Sequence, residues 1–255
     1  MTSKLQLSLD SNFSDVPWVD LRTDLPVNPN YTWAQLAGTR PLSALNTIVC
    51  HHDAIPKFKT VQYTDLTLAK RIATDHINSK KNHPGGDAGF PYDLWIRNGV
   101  IYWCNDVEAR EYGVASNNGY TVNICVSGDY KNYDELTPGD RRALYAAIIS
   151  MKNYLTHDQH LKGHNELQAT SCPGYDMKQV REDVFSLEQE IEQMNSPVKK
   201  EEIAFRMSNQ FLYLYNMFHL GKTSTGQPAS DGQKKWALDM MLKLEPEMRK
   251  HGMLK

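Results

Sequence analysis

Residues 163–174, GHNELQATSCPG, are the part of the sequence that most restricts how the chain can fold. They hold His164 and Cys172 eight residues apart, and a Pro-Gly pair follows the cysteine directly. Neutral imidazole and thiolate are both good ligands for Zn²⁺, which is four-coordinate in most protein sites. A catalytic zinc typically takes three protein ligands and leaves the fourth position open. If this loop binds a metal, the fold must bring at least one further ligand to it from another segment.

The segment NTIVCHH, residues 46–52, offers candidates for the missing ligand. Its β-branched and apolar residues predict a short buried strand that ends in two histidines, His51 and His52. In open α/β sheets, ligands collect outside the carboxyl ends of the strands. Successive side chains of a strand point to opposite faces, so we expect one histidine to face the metal and the other to pack beside it.

The segments around these two predict a mixed α/β domain that spans residues 46–194. Asn98 and Gly99 form a strong turn signal and join two apolar runs into a predicted hairpin. A further apolar run, TVNICV, predicts another central strand, and apolar residues at helical spacing predict three helices. These helices are expected from Thr64 or Asp65 to about Lys80, from Pro138 to about His157, and from Tyr175 to Met194.

The two ends of the chain differ from this domain in composition. Residues 1–45 are rich in Pro, Asn, Asp and Thr, which predicts an irregular arm packed on the domain and anchored by Trp18, Tyr31 and Trp33. Residues 198–255 predict two amphipathic helices separated by a polar loop, and hence a small helical module. Four aromatic residues of its first helix are expected in the core: Phe211, Tyr213, Tyr215 and Phe218.

Composition argues against several classes of partner. The formal net charge of −2 gives no overall field for nucleic acid, although residues 196–255 carry ten Lys/Arg against six Asp/Glu. No apolar run approaches the ~18–20 residues of a membrane span, so we expect no membrane insertion. The N-terminal residues are too polar for a secretory signal, which favours synthesis in the cytoplasm. Cys50, Cys104 and Cys125 lie in apolar runs and are expected as buried thiols.

Four segments together match one known family in order and spacing: IVCHHDA, FPYDLWIRNGVIYW, NNGYTVNICVSGDY and GHNELQATSCPG. The chain resembles the zinc-dependent N-acetylmuramoyl-L-alanine amidases, a group that includes phage endolysins and the peptidoglycan recognition proteins. The resemblance covers residues 46–184 and implies a mixed α/β fold with a central sheet flanked by helices. It does not extend to residues 1–40 or 196–255.

The resemblance also implies a zinc site. His51, the first histidine of the pair, would bind Zn²⁺ together with His164 and Cys172. Tyr92 would lie beside the metal, where it orients water or moves a proton, and Thr170 would hydrogen-bond the developing oxyanion. Thr170 occupies a position where phage amidases often have lysine, and in this it is similar to catalytically active peptidoglycan recognition proteins.

Two further positions depart from the family pattern. Asp93 stands where members often have histidine. Cys125 stands near the position of a glutamate that some members use in catalysis. A strand without that carboxylate resembles the phage enzymes that rely on tyrosine.

The activity implied by the resemblance is hydrolysis of the amide between N-acetylmuramic acid and L-alanine in bacterial peptidoglycan. Such a chain would act as a phage or prophage endolysin that reaches the wall after the membrane is permeabilised. Two alternatives stay open, a non-catalytic peptidoglycan-binding module and a structural zinc site. Residues 198–255 could bind the wall or mediate homo-oligomerisation, and the sequence favours neither.

Overall fold

Six strands form one mixed sheet in the first of two units of the chain. The computed structural model describes residues 7–155, 159–195, 197–223 and 226–250, and the division between the units falls at Phe185 and Ser186. The strands are β1 (Trp18–Asp20), β2 (Thr47–His52), β3 (Leu94–Arg97), β4 (Val100–Trp103), β5 (Thr121–Val126) and β6 (His160–Gly163). Their order in the sheet is β1-β4-β3-β5-β2-β6. Only β3 and β4 pair antiparallel among these strands, and the other neighbours are parallel.

Four helices lie between and after the strands of this sheet in the chain. They are α1 (Trp33–Leu36), α2 (Asp65–Asn78), α3 (Pro138–Tyr154) and α4 (Met177–Asn195), the last of which crosses the division between the units. The Thr64 and Thr137 hydroxyls cap α2 and α3 by accepting a backbone N–H of the first turn. The predicted class, a central sheet flanked by helices, is confirmed. The end predicted for α3, at His157, lies outside the described residues.

The predicted hairpin joins β3 to β4 through Asn98 and Gly99. Both residues have positive φ, 52° and 75°, as a tight two-residue turn between strands requires. The Asn98 side-chain amide donates to Asp65 Oδ1 at 2.9 Å, and the Gly99 N–H donates to Asp140 Oδ1 at 2.9 Å. These bonds attach the turn to the first turns of α2 and α3.

Two edge strands were not predicted by pattern. Residues 1–45, predicted to be irregular, contain the three-residue β1, which pairs with β4. The four-residue β6 has the sequence HLKG and pairs with β2 ahead of the His164 loop. Neither segment is long enough to show apolar alternation, so the backbone of its neighbour determines its pairing.

The predicted aromatic anchors of the N-terminal arm all contact the sheet domain. The buried Trp33 donates its indole N–H to the Phe90 carbonyl at 3.0 Å. The Tyr31 hydroxyl donates to the Gly86 carbonyl at 2.9 Å. Half-buried Trp18 packs against Trp103, with ring centroids 6.4 Å apart. The arm is therefore fastened to the domain at several points.

One face of the sheet packs against α2. Trp95 and Tyr102 of the hairpin lie in one apolar cluster with α2 residues that include Leu68 and Ile72. Cys104 and Cys125 belong to the same cluster. They and Cys50 are free and buried, which confirms the prediction of core thiols.

The second unit contains α5 (Pro197–His219) and α6 (Asp231–Lys250). The two helices share a small core formed by Leu214, Met217, Ala237 and Met241, with Ala229 from the connecting loop. Three of the four aromatic residues expected in this core, Phe211, Tyr213 and Phe218, pack against it. The exception is Tyr215, which is 43% exposed because it lies on the opposite side of α5. No helix in the described part of the chain is long and apolar enough to span a membrane.

Candidate metal centre

The predicted histidine ligands lie at the carboxyl ends of two neighbouring strands. In the parallel pairing of β2 with β6, Cys50 lies opposite Gly163, so His51 and His164 follow side by side. Gly163 has no room for a side chain, because a Cβ there would lie 2.6 Å from Asn165 Oδ1 and 2.8 Å from Met177 Cγ. The glycine thus allows the chain to turn closely from β6 into the loop that carries His164 and Cys172.

The three predicted ligands converge. One ligand atom from each of His51, His164 and Cys172 lies within 4.8 Å of the other two. The Cys172 Sγ is 3.7 Å from His51 Nδ1, and the two imidazole centroids are 4.7 Å apart. Nitrogen and sulfur ligands about 2.1 and 2.3 Å from one tetrahedral zinc ion lie about 3.6 Å apart. The donor set and its spacing therefore fit Zn²⁺.

Hydrogen bonds determine which ring nitrogen each histidine presents. His51 Nε2 lies 3.0 Å from Asn123 Oδ1, and His164 Nε2 lies 2.6 Å from Gln168 Oε1. An amide oxygen only accepts, so both Nε2 atoms carry the proton and donate it. Both Nδ1 atoms keep a free lone pair, as a metal ligand requires.

Burial keeps two of the three candidate ligands, His51 and Cys172, uncharged in the absence of a metal. It lowers the pKa of His51 to about 3, and repulsion from His164 contributes. It raises the pKa of the Cys172 thiol to about 12, although the His52 N–H, which donates to Sγ at 3.3 Å, opposes that shift. Metal binding must therefore displace the thiol proton, while the imidazole of His51 is already in its ligating form.

His52 occupies the other face of β2, as strand alternation predicts. Its Nδ1 accepts the backbone N–H of Tyr130 at 3.3 Å, and the ring lies 6.4 Å from that of Tyr130. The side chain of His52 is therefore directed away from the three converging ligands, and it packs beside the loop that follows β5.

A cavity of about 780 Å³ is lined by His164, one of the three candidate ligands. Tyr92, His164 and Gln168 line the side near the ligands, and Lys81 and Arg110 line it elsewhere. The ring of Tyr92 lies 5.1 Å from that of His51. Burial, with repulsion from the nearby Cys125 and Cys172 thiols, raises the pKa of Tyr92 well above its usual range. Its phenol therefore keeps a proton at neutral pH.

Thr170 lies in the same loop as the ligands but is exposed. Its Oγ1 accepts the backbone N–H of Cys172 at 3.2 Å. This bond stabilises the conformation of the loop that presents the thiol. The hydroxyl proton of Thr170 remains available to a second partner.

The chain is similar to known proteins in structure. A scan against protein-family models matched none, and a search of curated proteins found no match. Bumblebee PGRP-SA, a peptidoglycan recognition protein, is 16% identical over 65% of this chain and 94% of its own, with a TM-score of 0.50. This chain has the amidase and peptidoglycan recognition protein fold. The resemblance derived from the four sequence segments is thereby confirmed for the fold.

Two further solved structures are similar to this chain. The endolysin amidase LysCS from Clostridium intestinale is 22% identical over 66% of this chain and 94% of its own, with a TM-score of 0.49. A Drosophila PGRP-LB variant in complex with tracheal cytotoxin is 18% identical over 62% of this chain and 88% of its own, also with a TM-score of 0.49.

A buried ionic cluster supports the amidase-fold domain behind the ligands, and the sequence did not predict it. Arg40 of the N-terminal arm lies 3.4 Å from Asp93 Oδ1 and 3.0 Å from Glu111 Oε2, and all three side chains are buried. Asp93 in turn accepts the backbone N–H of Asn123 at 2.7 Å. The polar Asn123 in the apolar strand TVNICV does signal a buried partner, because a buried amide needs one, and that partner is His51.

Proposed function

We propose that this chain is a zinc-dependent N-acetylmuramoyl-L-alanine amidase that acts on bacterial peptidoglycan as a phage or prophage endolysin. The observation that carries the proposal is the convergence of His51, His164 and Cys172, together with a cavity that His164 and Tyr92 line. A structural zinc is usually closed by four protein ligands. The described residues supply three, at the edge of a cavity, which favours a site with an open position.

His51 and His164, through Nδ1, and Cys172, through Sγ, would hold the ion. When bound, zinc supplies a Lewis acid that polarises the scissile carbonyl and lowers the pKa of a bound water to about 7. The reaction adds water across the amide. It leaves a carboxylate on the lactyl group of N-acetylmuramic acid and a free α-amine on L-alanine.

Tyr92 and Thr170 would assist from two sides of the site. The phenol of Tyr92 keeps its proton at neutral pH, so it can orient the attacking water or pass a proton to the leaving amine. The hydroxyl of Thr170 is fixed as an acceptor by the Cys172 N–H and can donate its own proton to a developing oxyanion.

We also propose that three segments of the chain have different roles. Residues 46–194 form the catalytic domain, and residues 1–45 pack on it through Trp33 and Arg40. Residues 198–255 form a module for wall binding or self-association. Several large apolar side chains of the second unit are exposed and could serve either role: Leu212, Tyr215, Leu220, Trp236 and Leu242.

The proposal is tested by zinc content and wall hydrolysis together. We expect the purified chain to hold one zinc and to release dye from labelled peptidoglycan, with new α-amino groups of L-alanine in the product. Cys172→Ser should lose both the metal and the activity. Cys104→Ser, which removes a buried thiol away from the ligands, is the matched control.

A different outcome would favour the non-catalytic alternative. If the zinc-loaded protein leaves walls intact while Cys172→Ser binds them equally well, the chain is a peptidoglycan-binding module and not an amidase. Release of reducing sugar ends without new amines would mean that a glycosidic bond is cut.

A further inference from the structure

The side chain of Asn123 contacts His51, one of the three candidate ligands. Its Oδ1 lies 3.0 Å from His51 Nε2, and the side chain is fully buried on β5. The Asn123 Nδ2, by contrast, has no hydrogen-bond partner within the described residues. An unpaired buried donor is unfavourable, so packing does not explain an amide at this position. The hydrogen bond that Asn123 Oδ1 accepts from His51 Nε2 does explain it.

The position of the Asn123 oxygen is fixed on several sides. Its backbone N–H donates to Asp93 Oδ2 at 2.7 Å, and its carbonyl accepts the Asp93 N–H at 3.1 Å. Arg40 holds Asp93 in turn. Gly113 lies against the amide, and a Cβ at Gly113 would come within 2.6 Å of Asn123 Oδ1. The side chain thus occupies space that exists only because residue 113 is glycine.

We propose that Asn123 is a positioning residue, which fixes the tautomer and ring orientation of His51 so that Nδ1 faces the metal, and that Gly113 makes room for it. The inference rests on the proposed metal site. Outer partners of this kind typically change metal affinity by about 10- to 100-fold when they are removed. The effect should appear in metal affinity and ligand geometry before any effect on folding.

The test compares four variants of the full-length chain. Asn123→Leu keeps the volume and removes the acceptor, and Asn123→Asp keeps an acceptor. Gly113→Ala disturbs the amide without touching a ligand. Thr121→Val, on the same face of β5, removes a buried hydroxyl that donates to the Asn117 carbonyl and serves as the matched control. The measurements are the zinc dissociation constant by chelator competition, the visible spectrum of the cobalt-substituted protein, and the urea unfolding midpoint.

We expect Asn123→Leu and Gly113→Ala to weaken zinc binding about 10- to 100-fold and to change the cobalt spectrum. Asn123→Asp should bind zinc at least as tightly as the parent chain, because its carboxylate also accepts from Nε2. Thr121→Val should bind as the parent does, even if it lowers the unfolding midpoint.

The test distinguishes failure of the positioning role of Asn123 from failure of the proposed function. If the parent chain binds zinc and hydrolyses walls while Asn123→Leu and Gly113→Ala keep its affinity and cobalt spectrum, the positioning role is wrong and the proposed function stands. The same conclusion holds if Asn123→Asp loses zinc as severely as Asn123→Leu does. If the parent chain binds no zinc, the proposed function fails and the inference fails with it. If Asn123→Leu does not fold, the zinc affinities of Gly113→Ala and Asn123→Asp still test the positioning role of Asn123.

Discussion

At the scale of single residues, the candidate site combines three potential metal ligands with one protonated phenol. His51 and Cys172 are held in uncharged forms by burial, so the protein presents them to a metal without a competing internal ion pair. Tyr92 lies near them, and its raised pKa keeps the phenol protonated at neutral pH. The proposed chemistry therefore assigns metal binding and proton handling to different side chains.

Tyr92→Phe should separate these two roles. We expect the variant to retain one zinc per chain and to lose about 10²- to 10⁴-fold in the rate of wall hydrolysis, the usual contribution of a general acid or base. Tyr112→Phe is the matched control, since Tyr112 lines the same cavity but packs against Trp33. If Tyr92→Phe hydrolyses walls at the parent rate, the residue only packs against His51.

At the scale of elements, the N-terminal arm, the start of the hairpin and the loop before β5 meet at one ionic cluster. Burial raises the pKa of both Asp93 and Glu111, and the single guanidinium of Arg40 balances one carboxylate. Asp93 also accepts a backbone N–H, which favours its ionised form. Repulsion from Asp93 raises the pKa of Glu111 further, so Glu111 is the carboxyl that keeps a proton.

This cluster predicts a specific dependence of stability on pH. The folded state holds a proton on Glu111 at pH values where the unfolded carboxyl, with a pKa of about 4.3, has released it. The contribution of Glu111 to the free energy of unfolding should therefore fall as the pH rises above about 4.3, whereas the lowered pKa of His51 acts in the opposite direction below about 6.5. Glutamine mimics the protonated carboxyl, so the stability of Glu111→Gln relative to the parent chain should increase with pH. Urea unfolding of both chains between pH 5 and 8 measures this difference in stability.

The control for Glu111→Gln is Glu135→Gln, which removes an exposed carboxylate and should leave the slope of stability against pH as it is. If the stability difference between Glu111→Gln and the parent chain stays the same from pH 5 to 8, Glu111 is ionised in the folded state.

At the scale of the whole molecule, all residues proposed for metal binding and catalysis lie in the first unit. The second unit has its own small core and a set of exposed apolar side chains. Helix α4 is continuous across the division, and its buried Val180 and Val184 belong to the first unit. A truncation should therefore leave α4 whole.

Deleting residues 196–255 should leave zinc content and hydrolysis of soluble wall fragments within about twofold of the parent, because no proposed site residue is removed. The role of the second unit is then measured in two ways. Co-sedimentation compares the binding of the truncated and parent chains to intact walls, and their molecular masses in solution show whether they associate. Weaker wall binding at unchanged mass indicates targeting, and a fall in mass indicates self-association. If the truncated chain loses its zinc, the two units are not independent in function.

Sequence patterns could predict the elements and the convergence of the ligands, but not what supports them. Local sequence signals are present in the β2 strand, the Asn98-Gly99 turn and the His164 loop. His51 is expected near that loop because ligands collect at the carboxyl ends of strands. The partnership of Arg40 with Glu111 joins residues 71 positions apart, and no local pattern contains it. Likewise, Asn123 becomes the partner of His51 only through the register of β2 against β5.

The turn at Asn98 and Gly99 has a consequence for how the protein ages in storage. An Asn-Gly pair loses ammonia when the glycine nitrogen attacks the asparagine side-chain carbonyl, and water then opens the cyclic imide to leave a new carboxylate. In the folded chain that nitrogen donates to Asp140, and the side-chain amide donates to Asp65. Both reacting groups are engaged, so deamidation at Asn98 should proceed mainly in unfolded molecules. The acidic species that accumulates would thus record how often the hairpin has opened.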